Sequence, residues 1–143
     1  METGIRQYSI DAIYFDLMKA FDTVAHKRLM SKLNTYGVTE PLLGWIKSFL
    51  TDRVQQVQVN GAPSQWEQVI SGIPQGSVLG PILFVIYIND LPKQVKSGVY
   101  LFADDTKIFK IIMNENDPEE LQTDLDGLLD WSDLWLLRFH PDK

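Results

Sequence analysis

The sequence predicts an α+β fold in which an antiparallel sheet is covered by helices on one face. The apolar patterns follow the order strand, helix, helix, strand, strand, helix, strand, strand, helix, and they include two hairpins. The chain lacks the regular strand–helix alternation and the glycine-rich phosphate loop of a doubly wound sheet. Apolar residues make up 45% of the 143 residues, enough for the core of one ordinary domain.

The first half is predicted to form a strand, two helices and a hairpin. The strand lacks Pro and Gly and is rich in Ile, Tyr and Phe, which is typical of a buried strand. Gly37 is predicted to end the first helix, and Thr39 to cap the second. Asn60-Gly61 is a strong hairpin-turn signal. The predicted elements are the strand 10–16, the helices 26–36 and 42–50, and the hairpin strands 54–59 and 66–70.

The second half is predicted to contain a loop, a helix, a second hairpin and a final helix. The loop covers 71–77, and the helix after it runs from Leu79 to about Asn89. Asp117, with Pro and Glu after it, is predicted to cap the last helix. That helix is expected to bury Leu121, Leu125, Leu128, Leu129 and Trp135, and to expose Asp124, Asp126, Asp130 and Asp133 to solvent.

Two acidic residues mark the second hairpin. Asp104 and Asp105 lie between two apolar runs, so they fall at its tip. Adjacent carboxylates repel each other unless a cation joins them. Asp16 ends the first strand, and we expect it to lie beside the hairpin tip. Such an oxygen cage suits Mg²⁺, which takes carboxylates together with substrate phosphates, and so indicates phosphoryl-transfer chemistry.

The charge distribution separates this acidic site from an acidic segment at the end. Residues 1–113 carry 11 Lys or Arg against 10 Asp or Glu, whereas residues 114–143 carry 2 against 9. The net charge of −6 is unusual for a nucleic-acid enzyme. Five basic residues fit either solvated helix faces or a surface for a nucleic-acid backbone. They are Lys27, Arg28, Lys32, Lys47 and Arg53.

Other residue counts exclude whole classes of site. The chain has no cysteine, so it has no disulfide, no thiolate metal site and no cysteine nucleophile. No run of about 18 apolar residues is present, so no membrane span is predicted.

Three motifs in order resemble the palm motifs of reverse transcriptases, and most closely those of non-LTR (LINE-like) retrotransposons. The second motif is nearly complete, which makes the resemblance specific. The motifs are Phe-Asp-Leu-Met-Lys-Ala-Phe-Asp at 15–22, Ser-Gly-Ile-Pro-Gln-Gly-Ser-Val-Leu-Gly-Pro at 71–81 and Phe-Ala-Asp-Asp at 102–105. Further similar stretches lie at 45–50, 87–92 and 139–143, the last resembling the start of a fourth motif.

The resemblance implies a role for each residue that matches a motif. Asp16, Asp104 and Asp105 would be the catalytic acids. Asp16 and Asp104 would hold two Mg²⁺ ions, for which Mn²⁺ can substitute, with Asp105 as a supporting ligand and the Leu17 carbonyl completing one site. Phe21 lies where the family places the gate that excludes a ribose 2′-hydroxyl.

The remaining matched residues would bind substrate. Gln75 would contact the nucleotide or the template, and Gly76 would let the backbone approach closely. Lys143 matches a lysine that neutralises the leaving pyrophosphate.

The resemblance further implies an RNA-directed DNA polymerase that uses an RNA template, a DNA primer and deoxynucleoside triphosphates. It begins at the first motif and ends at the fourth, so we expect a palm-like sheet with a small part of the fingers and with the thumb absent. Residues 1–9 are expected to be a tail and 10–143 a partial reverse transcriptase domain. The alternative is a non-catalytic retrotransposon remnant that keeps the fold. Apolar surface exposed by truncation, near 78–87 and at Trp131 and Trp135, is expected to favour self-association.

Overall fold

The computed structural model describes residues 8–141, which contain seven antiparallel strands and five α-helices. The strands are β1 (Ser9–Asp16), β2 (Val54–Gln55), β3 (Gln58–Val59), β4 (Ala62–Pro63), β5 (Glu67–Gln68), β6 (Gly98–Phe102) and β7 (Asp105–Ile112). The α-helices are α1 (Ala20–Thr23), α2 (His26–Thr35), α3 (Leu42–Leu50), α4 (Leu79–Ile88) and α5 (Asp117–Trp135). A 3₁₀ helix spans Leu91–Gln94.

These elements form two compact units, which are described separately below. The sheet unit comprises Met1–Met18 and Asn89–Lys143, and its described part contains β1, β6, β7 and α5. The helical unit is Lys19–Ile88 and contains α1 to α4 with the short strands β2 to β5. The predicted α+β class, with a palm-like antiparallel sheet, is confirmed.

The core of the sheet unit is a three-stranded antiparallel sheet in the order β1-β7-β6. The β1–β7 register runs from Ser9 opposite Ile112 to Asp16 opposite Asp105. α5 packs against β7 and the 3₁₀ helix, and Ile108 of β7 is fully buried. One face of this sheet is therefore covered by a helix, as the sequence predicts.

The solvent-facing side of α5 was predicted incorrectly at two positions. Asp124 is buried, because its carboxylate accepts hydrogen bonds from the N–H groups of Lys96 (2.9 Å) and Ser97 (2.8 Å). Leu129, expected to be buried, is 58% exposed.

The start of α5 and the region of its tryptophans also differ from expectation. The N-cap residue is Asn116, and Asp117 accepts hydrogen bonds from Met113 N–H (2.7 Å) and Asn114 N–H (3.0 Å). Trp131 is buried, and its indole N–H donates to Asp90 Oδ1 at 3.0 Å, so it adds no exposed apolar surface. Val78, Ile82 and Val85 are each at least half exposed, whereas Leu83, Phe84 and Tyr87 are buried. The predicted apolar surface at 78–87 is therefore present only in part, and self-association stays a prediction.

The helical unit has its core among α2, α3 and α4. Its fully or nearly fully buried side chains include Leu29, Leu33, Leu50, Leu83, Phe84 and Tyr87. Lys32 is buried with them, and its ammonium donates to the Tyr87 carbonyl at 2.5 Å. Both interpretations of this lysine, a solvated helix face and a surface for a nucleic-acid backbone, are therefore wrong.

Local turn chemistry explains the remaining elements of this unit. Asn60 and Gly61 both have positive φ, 49° and 81°, which gives the predicted hairpin turn between β3 and β4. The hairpin strands are much shorter than predicted. The cap at Thr39 is absent; instead the Glu40 carboxylate accepts the Gly44 N–H at 3.0 Å in the first turn of α3.

Within residues 8–141, no helix has the length and apolarity needed to span a membrane.

Candidate active site

The acidic residues of the first and third motifs meet at one end of the three-stranded sheet. Asp16, the last residue of β1, lies directly opposite Asp105, the first residue of β7. Asp104 occupies the two-residue turn with Ala103, whose φ of 53° closes the hairpin. The predicted meeting of the first strand's end and the hairpin tip is therefore confirmed.

The end of β1 is held on its other edge by residues near the C-terminal end of the described chain. His140 N–H donates to the Asp16 carbonyl, and Met18 N–H donates to the Arg138 carbonyl, both at 2.8 Å. Leu17 pairs with Phe139 in an isolated antiparallel bridge, and the ring of Phe139 lies 5.0 Å from that of Phe15. The position of Asp16 is fixed from both sides.

This bonding pattern sets the distance between the two facing acids. Because the Asp16 carbonyl points to His140, Asp16 and Asp105 form a non-hydrogen-bonded pair across β1 and β7. In such pairs the Cα atoms lie about 4.5 Å apart and the side chains share one face closely. Two like charges at this separation repel each other unless a cation lies between them.

Only the backbone of Leu17 faces the acidic turn. Its side chain is 2% exposed and belongs to the core. Backbone groups alternate in direction along a strand, and those of Asp16 and Met18 face the Arg138–His140 segment. The Leu17 carbonyl consequently points to the β7 side, where the acidic turn lies.

The oxygen donors at this end of the sheet are of the type that Mg²⁺ prefers, but they do not form a complete coordination shell by themselves. Within residues 8–141, no group of three or more His, Cys, Asp or Glu side chains is arranged to hold a metal. Asp16 and Asp105 provide two facing carboxylates, with Asp104 beside them in the chain. Mg²⁺ is usually bound by one or two carboxylates and completes its octahedral shell with water and substrate phosphates. The roles of the three acids as catalytic ligands stay predictions.

The helical unit holds the other matched residues of the described chain. Phe21 in α1 is half-buried, and its ring stacks on that of Phe84 with centroids 4.8 Å apart. Its carbonyl accepts the Ile73 N–H at 2.8 Å, so the loop of the second motif lies against α1. Gly76 has a φ of 77° in the turn after Gln75, a conformation that favours glycine.

Gln75 is held by an acidic residue. Its side-chain amide donates to Asp22 Oδ1 at 3.0 Å. A carboxylate only accepts hydrogen bonds, so the NH₂ group of Gln75 faces Asp22 and the carbonyl oxygen is turned away from it. No local pattern indicates this contact, because the two residues are 53 positions apart.

A cavity of about 520 Å³ opens beside Gln75 within the helical unit. Its charged lining residues are Lys19, Asp22 and Arg53. From the sequence, Arg53 was grouped with four other basic residues between the two acidic segments and was not connected with the second motif. Lys143, the other predicted substrate ligand, lies outside the described residues.

Comparison with known proteins identifies the family. The sequence profile described as "Reverse transcriptase (RNA-dependent DNA polymerase)" matches residues 6–143. The chain is 31% identical over 149 aligned positions to the RNA-directed DNA polymerase from mobile element jockey of Drosophila melanogaster, covering 96% of this chain. It is 33% identical over 142 positions to the probable RNA-directed DNA polymerase from transposon BS of the same species, covering 93% of this chain. In both cases the chain spans 16% of the relative's length.

The fold is also found in a solved structure. Apo telomerase from Candida tropicalis, truncated from its C-terminal domain, matches with a TM-score of 0.69 and 14% sequence identity. The match covers 94% of this chain and 30% of the telomerase chain. At this identity the likeness concerns the fold alone. Together with the sequence matches, it leads to one conclusion: the chain belongs to the reverse transcriptase family, among the polymerases of non-LTR retrotransposons.

Proposed function

We propose that this chain carries the catalytic acids of an RNA-directed DNA polymerase and transfers deoxynucleotides to a primer 3′-hydroxyl on an RNA template. The observation that supports this most strongly is the facing pair of Asp16 and Asp105 beside the Asp104 turn, in a chain of the reverse transcriptase family. Two acids from distant segments meet where a strand ends, and Asp105 is exposed to solvent there.

Each residue of the acidic site has a proposed role that follows from its chemistry. Asp16, Asp104 and Asp105, with the Leu17 carbonyl, would hold two Mg²⁺ ions. Those ions, when bound, activate the attacking hydroxyl and stabilise the leaving pyrophosphate. Fixing β1 on both edges holds the carboxylates in place before substrate arrives, which lowers the reorganisation needed during the reaction.

In the helical unit, Phe21 would select deoxynucleotides, because a bulky ring beside the sugar excludes a 2′-hydroxyl. The stacking of Phe21 on Phe84 restricts its ring, as a steric gate requires. Gln75 and Gly76 would contact the nucleotide or template, and Lys143 the pyrophosphate.

A non-catalytic remnant is the second candidate, and the charge of the sheet unit favours it. That unit carries 7 Lys or Arg against 15 Asp or Glu, so it repels a polyanion. Polymerisation needs the primer end held in near-attack geometry. We therefore expect the chain alone to extend a primer slowly and to release it often.

Primer extension with Mg²⁺ or Mn²⁺ tests the proposal. The variants Asp16→Asn and Asp104→Asn should lose activity by at least about 100-fold, the scale of removing one preorganised charge at a transition state. Asp130→Asn, at an exposed position on α5, is the matched control and should retain activity. Extension that survives both active-site changes would refute the assignment. If the wild-type chain binds the primer–template but never extends it, the chain is a non-catalytic remnant.

A further inference from the structure

We propose that His26 is a positioning residue of the polymerase, which holds the loop of the second motif in place without touching substrate. Its imidazole Nε2 lies 2.6 Å from the carbonyl oxygen of Gly72, 46 positions further along the chain. The effect on nucleotide transfer rests on the proposed function, whereas the effect on the loop does not.

The chemistry of this contact fixes which ring nitrogen of His26 carries the proton. A backbone carbonyl only accepts hydrogen bonds, so Nε2 must be the donor. A neutral imidazole has one N–H, and the tautomer with its proton on Nδ1 would turn lone pairs of Nε2 and of the carbonyl oxygen towards each other. The contact therefore selects the Nε2–H tautomer of the neutral ring.

Gly72 is held through both of its backbone groups. Its N–H donates to the Val24 carbonyl at 2.8 Å, and its own carbonyl accepts from His26. Both partners lie where the chain enters α2. Gly72 is buried there with a φ of 88°, and a Cβ at this position would lie 2.7 Å from the Asp22 carbonyl oxygen. The start of the loop is therefore fixed in orientation as well as in position.

The other end of the loop is fixed by Ser77. Its hydroxyl donates to the Pro74 carbonyl at 2.7 Å and accepts the N–H of Gly80, in the first turn of α4, at 2.9 Å. Gln75 and Gly76 lie exposed between these two anchors. Since neither residue is held by burial, their position depends on the hydrogen bonds at each end of the loop.

One further hydrogen bond reaches the exposed part of the loop, and it does not replace the contact of His26. The Gln75 amide donates to Asp22 Oδ1 at 3.0 Å, but this bond is exposed, so water competes for both groups. The bond from His26 to Gly72 is partly buried, so its loss leaves a carbonyl less accessible to water. Loss of the His26 bond should therefore displace the loop, and a displaced substrate-positioning group slows the reaction.

The wild-type chain provides the first test, which requires no variant to fold. At about pH 8 an ordinary histidine ring is neutral, and long-range ¹H–¹⁵N spectra distinguish its two tautomers. We expect His26 to show a protonated Nε2 and an unprotonated Nδ1. A ring with its proton on Nδ1, or one that exchanges freely between the two tautomers, would overturn the inference.

Hydrogen exchange of the whole chain provides the second test. His26→Leu removes the donor, so the amides of Gly72 and Ile73 should exchange about tenfold faster, the scale of one hydrogen bond. His26→Gln keeps an N–H donor near the place of Nε2 and should restore most of their protection. The amides of Leu33 and Phe84, in the core of the helical unit, should be unchanged. Faster exchange at all four amides would show a general structural role and contradict positioning.

Primer extension then separates positioning from stability. His26→Leu should lower kcat/KM for the deoxynucleotide about tenfold, mostly by raising KM, because a displaced loop weakens binding before and during the reaction alike. His26→Gln should recover it. Asn34→Leu makes the same kind of polar-to-apolar change at an exposed position of α2 and should leave both constants unchanged. A fall in kcat alone, or no recovery with His26→Gln, would rule out positioning through the loop.

The two proposals fail separately. A chain that shows the expected tautomer and the local change in exchange but never extends a primer refutes only the proposed function. An active chain in which His26→Leu changes neither exchange nor kinetics refutes only this inference.

Discussion

The two compact units of this chain differ in the charge and in the placement of their polar residues. In the sheet unit, carboxylates meet at a strand end, and 15 acidic residues outnumber 7 basic ones. In the helical unit, basic residues outnumber acidic ones, and two of them, Lys19 and Arg53, line a cavity. The difference teaches that the candidate metal ligands and the candidate nucleic-acid contacts are built by separate packing arrangements, so each is open to its own mutational test.

The largest effect is expected in the helical unit, from Gly72→Ala. Gly72 has a φ of 88°, and an added Cβ would lie 2.7 Å from the Asp22 carbonyl oxygen and 2.8 Å from its Cα. Since both obstacles are backbone atoms, α1 and the loop must separate. We expect the free energy of unfolding to fall by about 3 kcal/mol, combining left-handed strain with overpacking. Urea denaturation measures the loss, and hydrogen exchange should locate it within 19–88.

Gly76→Ala separates the cost of left-handed strain from the cost of overpacking. Gly76 has a similar φ of 77°, but nothing lies within 4 Å of a Cβ built there. Only the conformational strain of about 1–2 kcal/mol should remain. Equal losses for the two variants would mean that the contact of the added Cβ with Asp22 adds no cost to the strain.

Local sequence signals were sufficient for the elements that bring the acids together. The apolar run 10–16, the two-residue turn before Asp105 and the Asn60-Gly61 turn each depend on neighbours in the chain. Once the lengths of β1 and the hairpin were set, the pairing of Asp16 with Asp105 followed from register. This is why the acidic end of the sheet was predictable.

The errors occurred where a polar group is satisfied by a distant partner. Asp124 was assigned to solvent because its neighbours on α5 are acidic, but its hydrogen bonds come from residues 27 and 28 positions away. Lys32 donates to a carbonyl 55 positions away. Periodicity describes which face of a helix is apolar and carries no information on such contacts. The cavity was missed for the same reason.

A smaller but distinct loss is expected in the sheet unit, from Asp124→Asn. Burial disfavours the charged carboxylate, but hydrogen bonds from Ser97 and from Lys96 N–H outweigh it and hold the pKa of Asp124 below its usual range. An Asn side chain turns an NH₂ group towards one of these donors and leaves it unpaired. The free energy of unfolding at neutral pH should fall by about 2 kcal/mol, the cost of one unsatisfied buried group. Asp130→Asn, exposed on the same helix, should be nearly neutral.

The pH dependence of the free energy of unfolding tests whether the charge of Asp124 causes this loss. A carboxylate whose pKa is lower in the folded state stabilises the fold above the unfolded pKa of about 3.9, and this stabilisation is lost as pH falls through the folded value. The same pH dependence is expected for Asp117, because hydrogen bonds from Met113 and Asn114 lower its pKa. The difference between wild type and Asp124→Asn should shrink below about pH 4. A difference that is constant from pH 7 to pH 3 would show that the charge of Asp124 is irrelevant.

The smallest effect is expected from Lys32→Met in the helical unit. The Lys32 ammonium donates to the Tyr87 carbonyl in the last turn of α4 and lies 5.1 Å from the centre of the Tyr87 ring. Carbonyls of a last helical turn lack partners within the helix, and a cation there is also favoured by the helix dipole. Met keeps the apolar stem but leaves that carbonyl without this donor, so we expect a loss of about 1 kcal/mol in urea denaturation. Lys27→Met, exposed on the same helix, removes an equal charge and should change little. If Lys32→Met instead stabilised the chain, the desolvation of a buried ammonium would exceed its hydrogen-bonding gain, and the basic character of the helical unit would be maintained at a cost in stability.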